Sequence, residues 1–342
     1  MKDKVRESKF ELLRLFAIFC IVYHHLLING VNICGYNSPY IIDDNGIMPL
    51  IINSLLMGGV VNVFLLISGW YGIKSVVPNC IRLCLSCLVY GGIAVLLSCC
   101  LWSYDFSLQV LFNTVKVTNY WYITHFILLV AVSPILERSL AHITSRELGY
   151  WIIILTIINI LFGAGLRILN TNGLNVLNFI WLYYIGRYLK LSFNDNWYRL
   201  LYKYCVPIIL LVVIAEVILF VVLCKVGHIQ KGITFWSYNM PWVVLTSVCT
   251  FILFSKIKLQ SKFINTCATT VLGIYLMHSG TPLSYIRNEY AKDLFNNWNY
   301  AGLLLEAIIV IIGCGLISYP IEILLKNLTK IISNRCKTLN II

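Results

Sequence analysis

Apolar runs of about twenty residues recur along this chain from residue 10 to residue 325, separated by short polar connections. A run of that length crosses the hydrocarbon of a bilayer as one helix, because in lipid every backbone N–H and C=O must find its partner within the segment. Ten such runs stand at about 10–29, 48–72, 81–102, 120–137, 149–166, 174–192, 200–224, 235–255, 263–285 and 300–325. The expected architecture is therefore all-α: a polytopic membrane protein of about ten transmembrane helices in one bundle, forming a single domain over 1–342. The run 48–72 is long enough to be tilted, or broken at Gly58-Gly59. Hydrophobic residues make up 59% of the chain and charged residues 12%. Soluble domains carry about 25% charged residues and disordered chains are low in hydrophobic ones, so both classes are excluded.

A formal charge of +12 would suit nucleic acid if it formed one basic stripe. The basic residues instead lie between the apolar runs, so the bilayer is the partner and nucleic acid is not. Alternate connections gather most of them: Lys2, Lys4, Arg6 and Lys9, then Lys74 and Arg82, then Arg138 and Arg146, and onward to Lys326, Lys330, Arg335 and Lys337. The other side holds Lys116, Arg167, Lys225, Lys231, Arg287 and Lys292. That bias puts both termini in the cytoplasm, with no cleavable signal peptide expected; the expected location is the bacterial inner (plasma) membrane. The longest connections, near 30–47, 103–119 and 286–299, then lie outside. Thirteen cysteines is an odd number, mostly inside apolar runs. Cys80, Cys84 and Cys87 share a helical face, but they read as small packing residues; no paired Cys/His motif accompanies them, and no metal is expected.

Chemistry concentrates in the first run, where Glu11 and Arg14 precede Tyr23-His24-His25. Ionisable residues within a membrane are costly and usually face a bundle interior or a watery cavity. Eleven helical steps turn about 1100°, so Arg14 and His25 lie on one face, about 16 Å apart along the axis, whereas His24 points about 80° away. Glu11, three residues before Arg14, is placed to pair with it. A guanidinium binds phosphate through two oxygens at once, and a neutral imidazole is suited to taking a hydroxyl proton. The alternative is a snorkelling Arg with a structural His pair.

This segment resembles the start of the acyltransferase-3 family of integral-membrane acyltransferases, whose first helix carries an Arg, ten residues and then a His. Asn62-Val63-Phe64-Leu65-Leu66-Ile67-Ser68-Gly69-Trp70 is similar to the family's aromatic-rich run ending in Ser-Gly. Trp121-Tyr122-Ile123 through Ser133-Pro134 resembles its Trp-Phe-Leu … Ser-Pro helix, and Leu272-Gly273-Ile274-Tyr275-Leu276-Met277-His278 its late Gly-Ile-Tyr-Leu-x-His helix. The resemblance implies a ten-helix core, essential Arg14 and His25, and transfer of an acyl group, usually acetyl from acetyl-CoA, to a glycan hydroxyl. Glu11 stands where many relatives have Asp, and the appended soluble domain that some relatives carry is not expected here.

The expected function is O-acetylation of a cell-surface glycan or its lipid-linked precursor. No cofactor is bound, and acetyl-CoA is the co-substrate. The expected catalytic group is His25, Arg14 and Glu11. Donor-binding candidates are Arg14, Ser68, Lys74 and Arg82; Ser68-Gly69 reads equally as helix packing, and Lys74 and Arg82 as topology signals, like the basic loop Lys256, Lys258 and Lys262. Acceptor or cavity candidates are Trp121, His125, Tyr275 and His278, where Trp121 reads equally as an aromatic-belt residue. Glu216 and Glu306 are further acids inside runs, and His142 and His228 fall in connections. A glycan-lipid flippase or transporter, or a glycan polymerase, is the alternative function; transporters commonly show inverted repeats, and the chain has no internal repeat.

Overall fold

The computed structural model describes residues 6–33, 46–166, 168, 172–227 and 236–338. Among them the chain is helical and has no strand. The helices are α1 Ser8–His25, α2 Met48–Met57, α3 Asn62–Tyr71, α4 Val76–Trp102, α5 Leu108–Val115, α6 Trp121–His142 and α7 Ser145–Ile158. They continue with α8 Val176–Leu191, α9 Asn196–Lys225, α10 Pro241–Ser255, α11 Lys262–Cys267, α12 Val271–Ser279 and α13 Thr281–Thr338.

Seven segments among the described residues are long and apolar enough to cross a membrane: Ser8–Gly30, Met48–Tyr71, Val76–Trp102, Trp121–His142, Ser145–Gly163, Asn196–Lys225 and Pro282–Arg335. Three of the ten expected spans fall short of that measure for local reasons. The run 174–192 gives α8, of 16 residues. The run 235–255 gives α10, of 15 residues and begun by Pro241. The run 263–285 is divided among α11, a 3₁₀ turn and α12, which stops at Gly280. The expected break at Gly58-Gly59 is present as the turn between α2 and α3. The expected connection 286–299 is corrected: it is helical, and α13 is interrupted only at Asn299, whose φ of 50° and ψ of −138° are non-helical. Its charges sit at helical spacing, with Lys292 Nζ 3.3 Å from Glu289 Oε1. The connection 103–119 likewise contains α5, begun by Ser107, whose hydroxyl caps Val110 N–H. His142 is the last residue of α6 rather than part of a loop. Lys2, Lys4, Arg167, His228, Lys231 and most of the connection 30–47 lie outside the described residues.

The chain divides into two compact units. The first comprises Met1–Gly72 and Ile143–Asn265. Its core stacks Phe10 on Phe251, with ring centroids 5.1 Å apart, and sets Trp70 against both. Helices α3 and α8 touch backbone to backbone: a Cβ at Gly69 would overlap the carbonyl of Tyr183, and one at Gly186 the carbonyl of Leu66. Only glycine permits that approach. A capping box starts α7, with Thr144 and Glu147 satisfying each other's backbone N–H,.

The second unit comprises Ile73–His142 and Thr266–Ile342. Here α4, α6, α12 and α13 pack around Cys87, Tyr90, Tyr120, Leu276 and Met277. A Cβ at Gly273 would overlap Ser318 and crowd the Tyr90 ring, so this glycine of the late motif is required for packing of α12.

Candidate active site

α1 is unbroken from Ser8 to His25, so Arg14 and His25 keep the helical register that places them on one face. Arg14 Nη1 donates to Glu11 Oε1 at 2.6 Å. Glu11 is buried, and its other oxygen is 3.9 Å from Arg6 Nη1. The Arg14 side chain keeps 30% of its surface exposed, enough for the guanidinium to meet a ligand while the carboxylate orients it. Immediately after His25 the helix widens into a π-helical segment, Leu26–Gly30, a local geometry found frequently at functional sites.

His25 is half-buried, and His24 is buried. Their ring centroids are 6.1 Å apart. His24 Nδ1 lies 2.7 Å from Asn53 Oδ1 of α2. With the Asn53 carbonyl oxygen as acceptor, His24 donates from Nδ1,. Ser54, next on α2, accepts from Trp236 Nε1 at 3.0 Å and hydrogen-bonds the buried Glu216 of α9. Asn53 and Ser54 thus tie the histidine end of α1 to a buried acid. Neither stands out by spacing; the available signal was two polar side chains inside an apolar run.

Ser68 donates its hydroxyl to the Phe64 carbonyl, 2.8 Å away and one turn back, beside the Gly69 contact with α8. Lys256 extends beyond α10, donates to the Phe193 carbonyl at 3.2 Å and sits 3.6 Å over the Phe193 ring. Burial, and then the charges of Lys9 and Arg199, hold its ammonium below the usual lysine range.

The remaining candidates belong to the second unit. Lys74 is exposed, and its carbonyl accepts from Asn79. Arg82 is committed to an ion pair: its Nη2 donates at 2.6 Å to Glu322 Oε2, and the other oxygen of Glu322 accepts from the Tyr90 hydroxyl at 3.0 Å. Glu322 was not foreseen, because a pair separated by 240 residues leaves no spacing signal. Trp121 and His125 are neighbours on α6, with His125 Nδ1 2.7 Å from the Trp121 carbonyl. Tyr122 meets Tyr275 edge to face at 6.1 Å between centroids, and Tyr275 meets His278 at 6.0 Å. Tyr122, not itself among the expected site residues, thus joins α6 to the α12 candidates Tyr275 and His278. His278 is buried, and its carbonyl accepts from Arg287 Nη1 at 2.9 Å. Arg287, expected in an outer connection, is a buried helical residue within electrostatic reach of buried Glu306. Neither Arg287 nor Glu322 was among the expected site residues.

The unbroken α1, the Ser-Gly end of α3 and the glycine-dependent α12 are local structures that their motifs require. A family model described as an acyltransferase domain matches residues 7–323, from the residue before α1 well into α13. No curated protein and no solved structure matches the chain. With nearly its whole length inside that match and several helices able to cross a bilayer, this multi-pass membrane protein belongs to the acyltransferase-3 family of membrane acyltransferases.

Proposed function

We propose that the protein transfers an acetyl group from acetyl-CoA to a hydroxyl of a cell-surface glycan or its lipid-linked precursor, in the bacterial inner membrane. The observation that carries this reading is the placement of Arg14 and His25 on one face of an uninterrupted helix inside the matched family region. Arg14, oriented by Glu11, holds an anionic part of the donor. The thioester end lies farther along α1, at His25. As the acceptor oxygen attacks the thioester carbonyl, its proton passes to the His25 imidazole. The C–S bond breaks as the C–O bond forms, and the proton leaves with the CoA thiolate. Group transfer is favoured over glycan-lipid transport or polymerisation by the family to which the chain belongs.

The test is His25→Ala in full-length protein, with membrane abundance measured alongside mass spectrometry of the host's surface polysaccharide. General-base help is worth about 10²–10⁴-fold, so turnover of acetyl-CoA falls by about that factor and the acetyl mass increment disappears. Retained acetylation at normal abundance removes His25 from the reaction. A wild-type increment larger than acetyl changes the donor while leaving the reaction class intact.

A further inference from the structure

The turn between α8 and α9 presents Phe193 to two ammonium groups. Lys256 Nζ stands 3.6 Å above the ring centroid, and Lys9 Nζ, from the first turn of α1, stands 5.4 Å from it. Arg199, in the first turn of α9, is close enough for its charge to act on Lys256. The acids in the neighbourhood are Glu7, 3.7 Å from Lys9 Nζ, and Asp195, which accepts from the Trp197 indole. Lys9 and Lys256 thus bring two positive charges to one aromatic ring, with Arg199 near enough to act on Lys256. Cation–π attraction offsets part of their repulsion. The depressed affinity of Lys256 for its proton has burial as its first cause and the two neighbouring cations after it. A polyanion seated among them removes that repulsion.

The surroundings favour a planar, phosphorylated ligand. Trp197, half-buried at the start of α9, stacks on Tyr188 of α8 at 5.6 Å between centroids and meets Tyr198 at 5.7 Å, and Lys256 Nζ stands 4.9 Å from the Tyr198 ring, so aromatic rings adjoin the lysine. Lys9 also stands five residues before Arg14 on α1, about 7–8 Å along the axis. A ligand anchored by phosphates at Lys9 and Lys256 therefore lies on the side of Arg14 away from His25. We propose that Lys9 and Lys256, which meet on Phe193, together with the nearby Arg199, form the subsite for the phosphorylated nucleoside end of the acyl-CoA donor. This rests on acyl-CoA being the donor, as argued for Arg14 and His25.

The experiment uses full-length protein in nanodiscs of neutral phosphatidylcholine, with CoA and dephospho-CoA as probes. Wild-type protein binds CoA more tightly than dephospho-CoA. Lys9→Gln/Lys256→Gln weakens CoA by about tenfold or more and weakens dephospho-CoA less, because charge-assisted hydrogen bonds to phosphate are lost. Lys256→Arg retains CoA. Unchanged CoA affinity in the double glutamine variant overturns the subsite. So does a result in which that variant, extracted from its native membrane before reconstitution, keeps its CoA affinity and loses only co-purified phosphatidylglycerol, since the cations then serve lipid headgroups. His25→Ala separates this inference from the reaction itself. An inactive His25→Ala that still binds CoA, beside a double variant that does not, supports both. An active His25→Ala with the same CoA loss keeps the subsite and removes the base. Absence of CoA binding to wild type removes the subsite together with the donor.

Discussion

Each unit has a buried carboxylate in an ion pair with an arginine, Glu11 in the first and Glu322 in the second, and these two pairs are built differently. In the first unit Glu11 and Arg14 are one helical turn apart, and Arg6 stands by the second oxygen of the acid. In the second unit Glu322, buried to 3% exposure, draws Arg82 from α4 and the Tyr90 hydroxyl onto its two oxygens. A local pair costs little chain entropy and can yield its arginine to a ligand without unfastening two helices. The long-range pair joins α4 to α13, so its arginine is structural first. The comparison teaches that an arginine within a membrane bundle is read by what its acid does next. Glu11 keeps a second cation at hand, Arg6; beside Arg82, Glu322 holds the neutral Tyr90 hydroxyl.

Removing the two arginines breaks or sustains that contrast. Arg82→Ala leaves buried Glu322 with the Tyr90 hydroxyl, and because Arg82 is 37% exposed the cost is below the about 3–5 kcal/mol of a fully buried pair, seen as a drop in the thermal unfolding midpoint in detergent. Arg82→Met/Glu322→Leu recovers most of it, since an apolar replacement of a buried pair is often neutral. Arg14→Gln leaves Glu11 near Arg6, so unfolding moves less while acetyl-CoA turnover collapses. Equal destabilisation by the two arginine variants would end the distinction. Gly69→Ala comes next. Its new methyl meets the Tyr183 carbonyl on α8, and overpacking of this kind costs about 1–3 kcal/mol, read as lower membrane abundance and earlier unfolding. Asn53→Leu costs a comparable amount, about 1–3 kcal/mol, for the His24 ring nitrogen left without its partner. If the tautomer of His24 matters to His25, turnover falls about tenfold in Asn53→Leu and is restored by Asn53→Asp, which keeps an acceptor; parallel loss in both leaves Asn53 a packing residue.

The spans were legible where one stretch of sequence decides the outcome. The break at Gly58-Gly59 and the Glu11–Arg14 pair follow from neighbours in the chain. The stretch 286–299 misled because its charges resemble a connection, although Glu289 and Lys292 sit at the spacing of a helical pair,. Glu322 with Arg82, and Asn53 with His24, were not legible, because no periodicity links residues on different helices. The charges around Phe193 were visible only as scattered basic residues; that Lys9 and Lys256 share one ring is a property of how α1, α10 and the α8–α9 turn meet. Contacts of that kind depend on tertiary packing, which composition and spacing do not encode.

Ser68 and Gly69 make the smallest and sharpest contrast, since two adjacent residues of one motif separate packing from chemistry. Gly69 is fixed by the backbone of α8, whereas the Ser68 hydroxyl satisfies itself on the Phe64 carbonyl of its own helix. Such a back-bond contributes little to stability, because the carbonyl already belongs to the helical ladder. Ser68→Ala is therefore expected to shift the unfolding midpoint by no more than about 1 kcal/mol equivalent. If the serine is there only to keep α3 slender beside α8, alanine, which is smaller still, also leaves KM for acetyl-CoA unchanged. A several-fold rise in KM with normal kcat and normal abundance would mean that the hydroxyl leaves Phe64 to meet the donor. The motif would then serve both purposes, with the glycine setting the distance between helices and the serine facing the ligand.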